Sequence, residues 1–281
     1  MRTNELATPQ FRSDHLIAAR PDAASTPPLL ICVLGSFRVL RAGQPIVVRG
    51  DKTEALLSYL ALYHADGVPR AALLDALWPG SETALAAEAL YSRLRRLHHL
   101  LGAALNGHAP IIQVDGYYRL NTDAGVGVDV AHFEALAATG DKQARAGNVV
   151  VAISAYKQAV QLYHGDLCMQ TEVPPDPHSL IERERLRSRY LTLLALLGNA
   201  AYTSSDNAAA LAYAQRLLSQ DPCREDAHRL VMRCHVRQGE RAQALHQFRV
   251  CTDILRATFG ATPEPETVAL YEQVRRDPAS V

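Results

Sequence analysis

The chain has 281 residues, 29 Lys and Arg against 29 Asp and Glu, and an apolar share of 48%. A globular composition of this size accommodates about two domains, with cores that need no disulfide or metal staple. The balanced charge excludes nucleic-acid recognition by bulk electrostatics, so any such function must rest on local placement.

Residues 1–28 carry scattered Pro, Ala, Ser and Asp without periodicity and are expected to form a flexible arm. The start lacks the apolar run of a signal peptide, and no apolar stretch approaches the ~18 residues of a membrane span, so a soluble cytoplasmic protein is expected. From Leu29 the runs Leu30 to Leu34, Phe37 to Leu40 and Ile46 to Val48 are β-prone, with a turn at Ala42-Gly43-Gln44-Pro45 between the last two. Asp51 is placed to cap a helix carrying Leu56, Leu57, Leu60 and Tyr63 at helical spacing, and Gly67-Val68-Pro69 is expected to end it. A second helix is predicted over Arg70 to Leu77, before the turn Trp78-Pro79-Gly80. A third runs from about Thr83 to Leu101. Ile111 to Val114 and Tyr117 to Leu120 then flank Asp115-Gly116, a strong hairpin signal.

Beyond residues 121–127, taken as the domain boundary, the pattern is helical. Breaks are expected near Gly140, Gly147, Val173 to Pro177, Ser204 to Asp206, Pro222, Gly239 and Pro263. Ala210, Ala214 and Leu217 fit the second helix of a tetratricopeptide repeat, with Ala244, Phe248 and Cys251 one 34-residue period later. Gly198 fits the first-helix glycine, and Ala152, Tyr156 and Ala159, preceded by Gly147, suggest an earlier copy. Stacked repeats of this kind form surfaces that bind peptides or other domains. The expected architecture is therefore mainly α, an α+β unit over 29–123 followed by an all-α repeat unit over 127–275.

The third helix concentrates positive charge. Advancing about 100° per residue, Leu94, Leu97 and Leu101 fall on the side of Leu90 and form the buried stripe. Ser92, Arg95, Arg96 and His99 fall opposite with Glu88, and Arg93 flanks the stripe. Guanidinium groups suit phosphates and guanine edges. A solvated basic face is the plain alternative, but a helix that follows a helix and turn, and precedes a hairpin, can enter the major groove while the hairpin reaches the backbone.

In this order the stretches Leu34-Gly-Ser-Phe-Arg-Val, Lys52-Thr-Glu-Ala-Leu-Leu-Ser-Tyr-Leu-Ala-Leu, Leu73-Leu-Asp-Ala-Leu-Trp-Pro-Gly, Ala89-Leu-Tyr-Ser-Arg-Leu-Arg-Arg-Leu, Gly116-Tyr-Tyr-Arg-Leu, Val128-Asp-Val-Ala-His-Phe and Glu182-Arg-Glu-Arg-Leu-Arg resemble the Streptomyces antibiotic regulatory protein family. That family joins a winged helix-turn-helix of response-regulator type to a bacterial transcriptional activator domain of tetratricopeptide repeats. The resemblance implies a transcription factor that binds double-stranded promoter DNA, as a homodimer on repeated sites, and recruits RNA polymerase holoenzyme. By position, Ser92, Arg93, Arg95, Arg96 and His99 would lie at the DNA, Arg119 would hold a wing phosphate, and Lys52 and Thr53 would touch backbone. Trp78, Ser81 and Glu82 occupy the loop that can face the polymerase.

Residues 29–123 hold nine basic and eight acidic side chains. With about three or four phosphates neutralised, the salt slope should be about −3 to −4, so stable binding is expected to need a second protomer or the polymerase. Two rivals stand beside this reading: a repeat-based adaptor with little DNA binding of its own, and a small-molecule or protein effector held by the repeat unit.

Other chemistry finds no support. The five cysteines, Cys32, Cys168, Cys223, Cys234 and Cys251, have no Cys-x-x-Cys spacing and read as buried thiols. His228 and Cys234, six apart in a helix, point to different faces, so no metal site is expected. The common nucleotide-binding and hydrolase motifs do not occur. Neither an enzyme nor a cofactor is expected.

Overall fold

The computed structural model describes residues 27–168 and 177–280. Most of the expected arm, and most of the proline-rich stretch from Val173, lie outside the described residues. Strands β1 (Leu29–Cys32), β2 (Arg38–Arg41) and β3 (Gln44–Ile46) form an antiparallel meander. Its second turn is tighter than the sequence suggested. Ala42 and Gly43 both take positive φ, of 44° and 80°. The third strand therefore starts at Gln44 and ends at Ile46, leaving Val47 exposed and Val48 buried.

Three helices follow, α1 (Asp51–Leu62), α2 (Arg70–Leu77) and α3 (Thr83–Leu101). Gly50, not Asp51, is the N-cap of α1, and its φ of 108° is open to glycine. Asp51 opens the first turn instead, where a carboxylate complements the helix dipole. Val68–Pro69 does more than stop the chain: it forms a short strand, β4, in a second sheet with β5 (Ile111–Val114) and β6 (Tyr117–Leu120) in the order β4-β6-β5. Strands of two residues leave no periodic signal, so β4 could not be read from sequence.

Strand β7 (Val126–Val128) lies in the stretch expected to separate the two halves, and it pairs in parallel with β1. The first sheet thus has the order β3-β2-β1-β7 and is completed by residues at the threshold of the helical half. Helix α4 (Asp129–Arg145) begins at once, and Asp129 is only 2% exposed. Its carboxylate accepts from the backbone N–H groups of Val33, Leu34 and Val130, each at 2.9 Å. Burial pushes this carboxyl above the ordinary carboxylate range, opposed by those three donors and by the charge of Arg38. Beyond β1, Cys168 N donates to Val33 O and Gly35 N to Asp166 O. A strap at residues 163–168 and the start of α4 therefore grip the same few residues.

The remaining helices are α5 (Val149–Leu162), α6 (Pro177–Thr203), α7 (Asn207–Gln220), α8 (Glu225–Arg237), α9 (Arg241–Phe259) and α10 (Pro265–Arg276). They pack as consecutive pairs, α4 on α5, α6 on α7 and α8 on α9. The expected break at Gly140 is absent, since α4 runs straight through it. A Cβ there would stand 2.2 Å from the Tyr156 ring, so this glycine lets α4 and α5 approach. Gly198 does the same for α6, where a Cβ would meet Leu230 at 2.9 Å. The residues aligned one repeat apart, Ala210, Ala214 and Leu217 with Ala244 and Cys251, are all buried. One continuous core links Leu29 and Ile31 of β1, Leu56 of α1, Leu90 and Leu97 of α3, Phe133 of α4 and Leu194 of α6.

Candidate nucleic-acid interface

Helix α3 presents its predicted face. Leu90, Leu97 and Leu101 are buried, and Leu94 is half-buried against the same core. Ser92, Arg95, Arg96, His99 and Glu88 are exposed. Among the described residues, no carboxylate pairs with Arg93, Arg95 or Arg96. Arg93 is half-buried, and its Nε is enclosed without a hydrogen-bond partner. Arg41 Nη2 donates to Leu100 O at 3.2 Å, satisfying one of the open carbonyls at the end of α3 and tying that helix to β2.

The hairpin has the expected tight turn. Asp115 and Gly116 adopt φ of 51° and 83°, the left-handed pair of a two-residue turn, with Val114 opposite Tyr117. Arg70 N donates to Gly116 O at 3.3 Å, so the tip of the hairpin is tied to the start of α2. Arg119 is exposed on β6 and crosses Gly67, where a Cβ would come within 2.5 Å of Arg119 Cγ. Gly67 also has a φ of 78°, so both space and backbone require glycine beneath the arginine.

The pair at the start of α1 divides. Lys52 is half-buried and engaged in a polar contact. Thr53 is 2% exposed, its hydroxyl is enclosed, and its N–H is given to Gly50 O at 2.7 Å. Thr53 therefore has no atom to offer a phosphate, and the sequence-based expectation for it is corrected: it is a core-facing residue of the first turn. At the other loop, Trp78 is half-buried against the core, whereas Ser81 and Glu82 are exposed. Ser81 N donates to Trp78 O at 3.2 Å, which holds these three in one turn before α3.

Two residues of α3 escaped the sequence reading. Leu85 is 61% exposed and Tyr91 69% exposed. Extending the helical wheel back one turn places Leu85 among Ser92, Glu88 and Arg96, so its position was available from spacing alone. Tyr91 lies at the margin of that face, and an exposed tyrosine has no spacing signature.

A sequence profile of the bacterial transcriptional activator domain matches residues 128–275, more than half of the chain. The chain belongs to the bacterial transcriptional activator domain family. Regulatory protein AfsR of Streptomyces coelicolor is 26% identical over 248 residues, covering 88% of this chain and 24% of AfsR. Regulatory protein DnrI of Streptomyces peucetius is 27% identical over 255 residues, covering 88% of this chain and 93% of DnrI. The chain thus spans about a quarter of AfsR but nearly all of DnrI. Both relatives are Streptomyces regulatory proteins, and the resemblance read from the sequence holds. The structure of Mycobacterium tuberculosis EmbR, in complex with low affinity phosphopeptide, superposes with a TM-score of 0.72 at 22% identity, over 89% of this chain and 65% of that one. That likeness places the α+β unit and the helical unit in a known fold. Among the described residues, no helix is long and apolar enough to cross a membrane, and no group of three or more metal-ligating side chains occurs.

Proposed function

We propose that the chain is a sequence-specific DNA-binding transcriptional regulator that activates promoters through its winged helix. The observation that carries this is the exposed face of α3: a hydroxyl, two outward guanidinium groups and an imidazole without carboxylate partners among the described residues, followed in the chain by a hairpin tied to α2. In the major groove, Arg95 and Arg96 donate to phosphates or guanine edges, and Ser92 and His99 complete the contact. Leu85 suits the methyl group of thymine, and Glu88 suits the amino group of cytosine. Arg119 on the hairpin and Lys52 on α1 hold backbone phosphates, and Arg93 reaches out from the edge of the stripe. The turn of Trp78, Ser81 and Glu82 faces RNA polymerase when the helix is seated. With so little net positive charge in the unit, stable occupancy needs two protomers on adjacent sites or contact with the polymerase. A cytoplasmic setting follows from that role.

The test is selection of duplexes from a random pool by the full chain, followed by gel shift of the Arg95→Ala/Arg96→Ala double variant. The expected result is a defined motif, a loss of affinity of at least tenfold in the variant, and a salt slope of about −3 to −4 per protomer. Absence of any sequence preference at low salt, or equal binding by the variant, would sink the reading.

A further inference from the structure

Between the end of α5, the middle of α6 and the end of α7 lies a cavity of about 160 Å³, lined by Tyr163, His164, Gly165, Tyr190, Arg216 and Gln220. No lining residue is acidic. Asp166, the nearest carboxylate in sequence, is already engaged by the Tyr163 hydroxyl at 2.8 Å and by Arg183 at 3.3 Å. The floor is aromatic, with the rings of Tyr163 and Tyr190 stacked at 4.1 Å and the Arg216 guanidinium 5.2 Å from the centre of the Tyr190 ring. Arg216 Nη2 lies 3.4 Å from Val160 O and 3.5 Å from Tyr163 O, and the guanidinium also bears on the Tyr190 hydroxyl.

The charge around the cavity is unbalanced, in contrast to its surroundings. Along α6, Arg183, Arg185 and Arg189 each hold a carboxylate, of Asp166, Glu134 and Asp141 respectively. Arg187 holds none among the described residues: its Nη2 donates to Gln220 O at the rim, and its Nε is enclosed without a partner. Arg216 likewise has no ion pair among the described residues. One guanidinium group, of Arg216, and one imidazole, of His164, thus line the space, and Arg187 stands behind Gln220 at its rim. Guanidinium forks favour oxyanions, which they bind as charge-assisted double donors.

We propose that this cavity binds a compact oxyanion, a carboxylate or phosphate group on a body no larger than a benzene ring, held by Arg216 and His164 with Arg187 behind Gln220. The size follows from the volume, since a cavity of ~150 Å³ accommodates benzene. The occupant would rest against Gly165, whose backbone packs on Gly35 beyond β1, so the site adjoins the joint with the winged helix. The assignment does not depend on DNA binding.

Calorimetric titration of the full chain with sodium phosphate, sodium acetate and sodium benzoate, at ionic strength held constant with chloride, tests it, with benzamide as the uncharged control. The expected result is saturable binding of phosphate or of a carboxylate with Kd at or below about 1 mM. Arg216→Gln should weaken it at least tenfold, with the circular dichroism melt of the free protein unchanged. If Arg216→Gln fails to fold, His164→Gln at the exposed rim takes its place. Phosphate binding alone selects a phosphate-bearing ligand and carboxylate binding alone a small organic acid; either supports the site. No binding of any anion below about 10 mM, benzamide binding as tightly as benzoate, or wild-type affinity in both variants would overturn it.

Discussion

Helices α3 and α6 are both rich in arginine, yet their arginines are set differently. On α6, Arg185 bridges Glu182 and Glu134, and Arg189 bonds to Asp141, so the charges fasten α6 to α4. On α3, Arg95 and Arg96 are exposed and form no ion pair among the described residues. A basic run is therefore uninformative until its partners are known. Glu182-Arg-Glu-Arg interleaves its own counter-ions and borrows others from α4, whereas Arg93-Leu-Arg-Arg has no acidic residue three or four positions away. The first is architecture, and the second is open to a partner.

The contrast would break most severely if the two units were independent bodies. Asp129→Ala tests this: it leaves three buried N–H groups without an acceptor, at ~1–3 kcal/mol each. A single cooperative melt lowered by more than about 10 °C is expected, because ~3 kcal/mol is a large fraction of total stability; separate transitions for the two units would contradict the shared core. Next in size, Arg95→Ala/Arg96→Ala should reduce DNA affinity by at least tenfold while leaving the melting temperature within a degree or two. Arg189→Ala should do the reverse, costing about 1 kcal/mol with DNA affinity unchanged, since a part-exposed pair contributes little beyond its hydrogen bonds.

A fourth test uses acid. Burial holds His228 below its ordinary 6.5, with the Pro222 carbonyl and the charges of Glu225 and Asp226 opposing. Its ring is clasped by Pro222 O at 2.9 Å and by Gln247. The folded state prefers the neutral ring, so this contribution is complete above pH 6.5 and is lost as pH falls through the lower folded value. Thermal melts below pH 6.5 should fall in the wild type and flatten in His228→Gln. The smallest effect is expected for Thr53→Val, which fills the same buried volume without an unsatisfied hydroxyl: DNA affinity should be unchanged and stability equal or slightly higher.

Much of the interface was legible because its signals are local. The ends of α2 and α3 follow from Pro69, Pro79 and Gly102, the hairpin from Asp115-Gly116, and the exposed arginines from the leucine stripe. What was not legible depends on residues distant in sequence. Thr53 looked like a helix-start contact, but its burial is decided by what packs on the first turn of α1. Gly140 read as a break because glycine weakens helices, whereas its purpose appears only when Tyr156 comes to lie over it. The spacing held the clue: Gly140 precedes Ala152 by the same interval as Gly198 precedes Ala210. Strand β7 is too short to signal itself, and only β1 makes it a strand.

That last strand bears on how such regulators can be recombined. A hybrid that took its winged helix from this chain and its helical half from a relative, joined at residue 123, would separate β1 from its parallel neighbour and strip Val33 and Leu34 of their common acceptor. The heritable module is longer than the outline of the winged helix suggests: it runs through Asp129, and crossovers that respect this carboxylate should yield soluble chimaeras where shorter ones aggregate.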